Sequence, residues 1–384
     1  MNQTLTVTKP FLPPLEEYTR LLEEIWASRW LTNQGQFHNR LEAALAEFLG
    51  VPYVSLCCNG TIALVLALRA LNVTGQVITT PFSFVATAHA LAWNGIEPVF
   101  CDIEPDTMTL DPAKVEALIT PRTSAIMPVH VYGYPCRVQE IQEIADVYGL
   151  KVIYDAAHAF GVRVNGRSVL EFGDLAVLSF HATKVFITGE GGAIICRTEG
   201  QKRRLGLLRN FGFVDEVTVV DVGINGKMDE FSAALGLLEL RYFEQVRAQR
   251  REIVQAYRAA LAEVAGIRFL DDVNGVEHNY AYFPIFVDEE VYGRSRDHLY
   301  EELKRHGVYA RRYFYPLISH FPPYRDLPSA SPANLPVAER IAREVLCLPV
   351  YPGLPLEGVR KILDVIRGFR PKEDRHVYVI HDKG

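Results

Sequence analysis

The sequence predicts an α/β protein: a large domain built on a mostly parallel sheet, followed by a smaller α+β C-terminal domain. Three observations carry that expectation. Between Tyr53 and Arg197, short β-branched or apolar runs alternate with helical patterns, as βα units do. Two of the strand-like runs, LAVLSFH and GAIICR, are apolar nearly throughout instead of alternating, as strands covered on both faces are. A long helical pattern then runs from about Asp229 to Val264, with shorter elements of mixed type beyond it. With 384 residues and 49% hydrophobic side chains there is material for more than one core.

Taken in order, Pro13 and Pro14 lead into LEEYTRLLEEIWAS, and NRLEAALAEFLG repeats apolar residues at Leu41, Ala44, Leu45, Phe48 and Leu49 before Gly50 stops it. Both read as amphipathic helices. Strand and helix then alternate as YVSLCC with TIALVLALRAL, QVITTP with FVATAHALAW, and SAIMPVHV with VQEIQEIADVY, and KVIYDAA is a further strand. LAVLSFH (Leu175 to His181) and GAIICR (Gly192 to Arg197) extend the sheet to about residue 200. The long helix carries Phe231, Leu235, Leu238, Tyr242 and Val246 on its apolar face, and Gly266 is its expected stop. Beyond it AYFPIFV reads as a strand, and SRDHLYEELKRHG, PVAERIAREVL and LEGVRKILDVIRGF as helices. The expected division is 1–245 for the large domain, 246–371 for the small one and 372–384 for a tail without helical period. With no repeat and no Pro/Gly/Ser-rich linker, the two domains should pack closely.

Composition excludes several classes of partner. Lys and Arg number 40 against 46 Asp and Glu, a net charge of −6, and neither sign forms a long block. No nucleic-acid or membrane partner is therefore expected. The uncharged stretch Ala70 to Ile96 is long enough to span a bilayer, but Gly75, Pro81, Asn94 and several hydroxyl residues interrupt it, which suits buried strand and helix better. The opening MNQTLTVTKPFLPPLEEY has neither a basic nor an apolar export region, so a cytoplasmic protein is expected. Cys57, Cys58, Cys101, Cys136, Cys196 and Cys347 lie in apolar surroundings without CxxC or His spacing. They read as small buried hydrophobes, and no metal site is expected.

Four features fall at strand ends, where an open α/β sheet places its ligand site. Asn59-Gly60-Thr61 opens a helix after YVSLCC; free amides and the positive helix end suit a phosphate, although Asn59 or Thr61 also reads as an ordinary cap. Asp155 ends KVIYDAAHA, with His158 three residues on. A carboxylate there would be costly to bury unpaired and should face a cation or strong donor, such as a protonated heteroaromatic nitrogen, unless it caps the next turn. Ser179-Phe180-His181-Ala182-Thr183-Lys184 carries a buried strand straight into a lysine. Held among apolar groups, such an amine is partly neutral and can attack a carbonyl, though a lysine past a strand is usually solvated. Gly189-Glu190-Gly191-Gly192 then allows a sharp return into a strand, but matches neither a dinucleotide fingerprint nor a Walker A loop. The fourth feature, Gly223-Ile224-Asn225-Gly226-Lys227-Met228, is a turn ahead of the long helix. Together, an anion cradle, a strand-end carboxylate and a strand-end lysine are the parts of a pyridoxal 5'-phosphate site, in which phosphate, ring nitrogen and aldehyde each gain a partner.

The runs NGTIALVLAL, TPFSFVATA, YDAAHAFG, SFHATKVFITGEGGAI and INGKMDEFSAALG resemble, in order, the motifs of the DegT/DnrJ/EryC1/StrS family. The resemblance covers about residues 8–370 and implies a pyridoxal phosphate-dependent transferase of the aspartate aminotransferase type, fold type I. Position by position, it makes Lys184 the lysine that carries the cofactor and Asp155 the carboxylate under the ring nitrogen. Ser179 and the Gly60 and Thr61 amides match the phosphate cradle, His158 a residue near the phenolic oxygen, and Phe84 an aromatic on the ring face. Asn225 matches a residue reaching the phosphate from the other subunit, which implies a homodimer with shared active sites. TKPFLPPLEEY, WLTNQG, SFHATKVF and RRYFYPL place the likeness nearest the branch that aminates carbon 4 of nucleotide-linked 4-keto-6-deoxy sugars. The implied substrates are dTDP-4-dehydro-6-deoxy-D-glucose and L-glutamate, with His181, Tyr315 and His320 as candidates for the sugar pocket.

The alternatives are an aminotransferase acting on a 3-keto nucleotide sugar, a sugar dehydratase with histidine in place of the lysine, and a non-catalytic cofactor-binding regulator. Lys184 argues against the dehydratase, and Lys184 with Asp155 and no appended DNA-binding module against the regulator. The missing glycine fingerprint sets aside a nicotinamide dehydrogenase.

Overall fold

A computed structural model describes residues 4–368; the predicted tail 372–384 lies outside the described residues. Its centre is a seven-stranded sheet of β1 (Tyr53–Cys57), β2 (Gln76–Thr79), β3 (Glu97–Phe100), β4 (Thr123–Met127), β5 (Lys151–Asp155), β6 (Leu175–Ser179) and β7 (Gly192–Cys196). The spatial order is β1-β7-β6-β5-β4-β2-β3. Only β7 runs against its neighbours, pairing antiparallel with both β1 and β6; the remaining pairs are parallel.

The uniformly apolar runs are explained by a core on each face. Val152, Tyr154, Ala176, Leu178, Ala193 and Ile195 point into one core, and Ile153, Leu175, Val177, Ile194 and Cys196 into the other. The first core is covered by α1 (Leu15–Ser28), α2 (Gln36–Leu49) and the long helix Glu230–Leu261; the second is covered by α3 (Gly60–Ala70) and α4 (Ala86–Trp93). Gly50 ends α2 in the left-handed region as its position predicts, and the Asn59 side chain caps α3 by accepting from Ile62 N at 2.8 Å.

The helix Glu230–Leu261 starts from an Asp229 cap and joins two bodies. Phe243 and Val246 belong to the first core, whereas Ile253, Val254, Tyr257 and Leu261 pack with a three-stranded sheet formed by 267–269, 283–287 and 345–348. At the changeover, the buried Arg250 donates to the carbonyls of Tyr280, Ala281 and Val350. The chain's first strand, Leu5–Thr6, pairs with Val308–Tyr309 of the C-terminal body, so the two bodies exchange an element. A third core joins them, with Phe82, Phe100 and Tyr132 against Phe314, Leu317 and Ile341.

Two expectations change. The helix read as PVAERIAREVL ends at Glu344, and Val345–Leu348 is a strand: all four residues are buried and pair antiparallel with 283–287, a tertiary demand that overrides the helical spacing. The long helix ends at Leu261, with Gly266 lying in the turn beyond it at φ +77° against the backbone of Tyr292. Five cysteines are buried, Cys58 is half-buried, and all six are free thiols. No helix among the described residues is long and apolar enough to cross a membrane, and no group of three or more potential metal ligands is gathered there.

Candidate functional site

The C-terminal ends of β1, β2, β5 and β6 converge on a cavity of about 500 Å³. Its wall includes Gly60, Thr61, Phe84, Asp155, His158, Ser179, His181 and Lys184, eight of the eleven residues singled out from the sequence. Strand order explains the meeting. β5 and β6 are adjacent, and Asp155 stands opposite Val177 in their register. Ser179 ends β6 and faces Gly192 of β7, which in turn faces Cys57 of β1. The cradle at 59–61, the carboxylate and the lysine thus approach from neighbouring strand ends.

The cradle is seated by close backbone packing. A Cβ on Gly60 would lie 2.8 Å from Ser179 Cβ, and one on Gly192 would lie 2.7 Å from the Asn59 carbonyl carbon and 2.8 Å from Gly60 N. No side chain fits at either position, so the N-terminus of α3 rests directly on β6 and β7. The Gly60 and Thr61 amides occupy the first two helical positions, where no intrahelical acceptor exists.

Asp155 is 4% exposed. Its Oδ1 accepts from Ala157 N at 3.1 Å and its Oδ2 from Thr87 Oγ1 at 2.8 Å. Burial raises its pKa, while the Thr87 and Ala157 donors and the charge on Lys184 oppose that rise. Lys184 is brought into the wall by the turn after β6, its backbone N–H bonded to His181 O at 2.8 Å. Burial pushes its amine down from the usual lysine value to about 8, with the Asp155 charge acting the other way. The Lys184 ammonium makes no ion pair among the described residues.

His158 accepts from Tyr132 N at its Nδ1, at 3.1 Å. Burial, and then the charge of Lys184, hold its pKa well below the ordinary histidine value. The ring is therefore neutral and carries its proton on Nε2. Tyr132 delivers that N–H from a left-handed turn at φ 56°. Phe84 is 59% exposed on the cavity wall. His181 sits at the mouth, its Nδ1 2.8 Å from Thr183 Oγ1 and its Nε2 3.8 Å from the Glu190 carboxylate.

Three expected residues are absent from this wall. Asn225 is exposed, in a bridge with Asn210 ahead of the long helix. Tyr315 packs beneath the guanidinium groups of Arg296 and Arg312, and His320 pairs with Glu339 at 2.6 Å; both are held away from the cavity by these partners. From the same RRYFYPL run, Tyr313 and Phe314 line the cavity instead, joined by Tyr282, Ser83, Thr87 and Glu190. None of these six was chosen from the sequence; the Ser83–Thr87 spacing of four was the only local signal.

The residues present fit pyridoxal phosphate. Two free helix-terminal amides and Ser179 suit its phosphate, a buried carboxylate with no cation bonded to it among the described residues suits a protonated ring nitrogen, and a partly neutral lysine suits its aldehyde.

The profile of the DegT/DnrJ/EryC1/StrS aminotransferase family matches residues 15–367. The chain is 50% identical over 370 residues to a dTDP-4-amino-4,6-dideoxy-D-glucose transaminase of Escherichia coli, covering 96% of this chain and 99% of that protein. It is 49% identical over 367 residues to the protein of the same description from Shigella dysenteriae, with 96% and 99% covered. Among solved structures, DesI in the presence of its TDP-sugar product superposes with a TM-score of 0.91 at 38% identity, covering 96% of this chain and 93% of that one.

Proposed function

The chain belongs to the DegT/DnrJ/EryC1/StrS aminotransferase family, and on that premise we propose that it converts dTDP-4-dehydro-6-deoxy-D-glucose to dTDP-4-amino-4,6-dideoxy-D-glucose. The chain is a pyridoxal phosphate-dependent aminotransferase of the aspartate aminotransferase fold. L-Glutamate is the amino donor in this reading. The observation that carries it is the convergence of Asp155, Lys184 and the 59–61 cradle on one cavity, in a chain half identical to two proteins described by that product.

When bound, the cofactor would supply an electron-withdrawing ring that takes up the electron pair left when a proton is removed from the amino-acid carbon and returns a pair when the keto carbon of the sugar is protonated. The remaining work belongs to this chain. Gly60, Thr61 and Ser179 would hold the phosphate, and Asp155 would keep a proton on the ring nitrogen, which favours electron uptake by the ring. Lys184 would hold the cofactor at its aldehyde, and its partly neutral amine is the group placed to take a proton from the amino-acid carbon and to give one to the sugar carbon, as general base and acid. His158, with its proton on Nε2, would donate to the phenolic oxygen, Phe84 would lie against the ring, and His181 at the mouth would meet the sugar.

The shared-site homodimer belongs to the same proposal. Its support is that Asn225 is exposed at a turn ahead of the long helix, free to serve a neighbouring chain's phosphate. The proposed domains are 1–245, which binds the cofactor, and 246–371, residues 1–3 and 369–371 lying outside the described residues; the change of core between Val246 and Ile253 supports a boundary there. A cytoplasmic setting is part of the reading, since a nucleotide sugar is a charged solute that does not cross a bilayer unaided.

The test is direct. Protein loaded with pyridoxal phosphate, glutamate and the 4-keto sugar nucleotide should yield the 4-amino sugar nucleotide by mass spectrometry and NMR. Borohydride should fix the cofactor on the peptide containing Lys184. Amination at carbon 3, or an adduct on another lysine, would refute the assignment.

A further inference from the structure

The segment just before and into α4 does two things at once. Phe84 faces the cavity, and Ser83 just before it and Thr87 three residues on form a hydroxyl pair bonded to the Asp155 carboxylate. Ser83 Oγ and Thr87 Oγ1 are 2.8 Å apart, and Thr87 Oγ1 is 2.8 Å from Asp155 Oδ2. Ser83 is 5% exposed and Thr87 fully buried.

We propose that Ser83 and Thr87 are positioning residues that fix the Asp155 carboxylate in one orientation and select its ionised form, so that it meets the cofactor's ring nitrogen correctly; this rests on the role given to Asp155 above. The direction of the protons makes the case. An ionised carboxylate only accepts, so Thr87 spends its single hydroxyl proton on Oδ2. Its oxygen then accepts from Ser83, and every hydroxyl proton has a partner. Were Asp155 protonated on Oδ2 and donating to Thr87, the chain would reverse, and the Ser83 proton, on a side chain only 5% exposed, would have no acceptor among the described residues. Unsatisfied buried donors are disfavoured, so the pair favours the carboxylate. Ala157 N holds the other oxygen at 3.1 Å. A β-branched side chain, stiff about χ1, holds this geometry better than a flexible one. Among the described residues the pair makes no hydrogen bond to the cradle or to Lys184, and Asp155 is the site residue it bonds.

The experiment uses the holoenzyme loaded with pyridoxal phosphate labelled with 15N in the ring, whose chemical shift reports protonation of that nitrogen. Thr87→Val keeps the shape of the side chain and removes the hydroxyl. It should move the ring-nitrogen shift toward the unprotonated value and lower kcat about tenfold or more, with KM for glutamate within about twofold. Thr87→Ser should restore both. Ser83→Ala, which leaves Thr87 in place, should displace the shift in the same direction by less, and serves if Thr87→Val does not fold. Asp155→Asn should displace it most. A parental ring-nitrogen shift in Thr87→Val, or in Ser83→Ala should Thr87→Val not fold, together with a displaced shift in Asp155→Asn, overturns this proposal alone. A parental shift in Asp155→Asn as well overturns the role of Asp155 and this proposal with it.

Discussion

Gly192 is the position where one added methyl group should do most harm to cofactor binding without touching a functional side chain. Its alanine Cβ would lie 2.7 Å from the Asn59 carbonyl carbon, 2.8 Å from the Asn59 oxygen and 2.8 Å from Gly60 N. All three are backbone atoms, so no rotamer change relieves the contact. Carbon contacts settle at about 3.5 Å or more, so the loop 59–61 must retreat by about 0.8 Å or β7 must bend away. Either movement stretches a hydrogen bond from the Gly60 or Thr61 amide beyond bonding range. One hydrogen bond to a charged acceptor contributes about 1.5–3 kcal/mol, which corresponds to about a ten- to hundredfold loss of cofactor affinity. Overpacking also costs about 1–3 kcal/mol of stability. Titrating apoenzyme with pyridoxal phosphate, followed by absorbance, measures the affinity, and a thermal melt measures the second effect. Gly206→Ala is the control: it lies within helix 199–208 with nothing within 4 Å of its added Cβ, and should be neutral or stabilising. A Gly192→Ala protein with cofactor affinity within twofold of the parent and an unchanged melt would refute the seating of the cradle on β7.

Two further outcomes are expected. Burial sets the Lys184 amine at about 8, so the rate at which apoenzyme captures the cofactor should rise with pH as the neutral amine grows and level off above about 8; a rate still climbing tenfold per unit at pH 10 would show an unperturbed lysine. If Asn225 serves the neighbouring site, mixed dimers of Asn225→Ala and Lys184→Ala chains should hold one intact site and one doubly defective site, regaining up to half the parental activity per mixed dimer. Activity no higher than the mean of the two variants, after proven subunit exchange, would put each site within a single chain.

What the sequence disclosed of the fold, and what it hid, follows from how local each signal is. The strands of the sheet interior announce themselves because both faces are buried. β3 does not: it holds Pro98, which argues against a strand, and it is tolerated because β3 lies at the sheet's edge. Helix 199–208, EGQKRRLGLL, buries only Leu205 and Leu208 and carries two glycines. Its one clear sign is the capping box between Thr198 and Gln201. Val345–Leu348 continues the helical period of the residues before it, and only pairing with 283–287 makes it a strand; that information is not local.

The same distinction separates the legible part of the site from the rest. Asp155, Lys184 and the 59–61 turn each follow a buried strand, and a parallel sheet brings strand ends together whatever lies between them in sequence. Tyr313 and Phe314 reach the cavity only because the C-terminal body docks through Phe314 and Leu317 onto Phe82 and Tyr132. Within RRYFYPL, which of the three aromatics faces inward depends on where Arg296 and Arg312 stand to hold Tyr315. Thr87 was hidden for a different reason: in FVATAHALAW it reads as one more small residue of an apolar helix, and its hydroxyl acquires meaning only when Asp155, from a strand 68 residues away, arrives 2.8 Å from it. Residues that bind through position on a strand end can thus be named in advance, whereas those that act by holding another residue can be named only once both are in place.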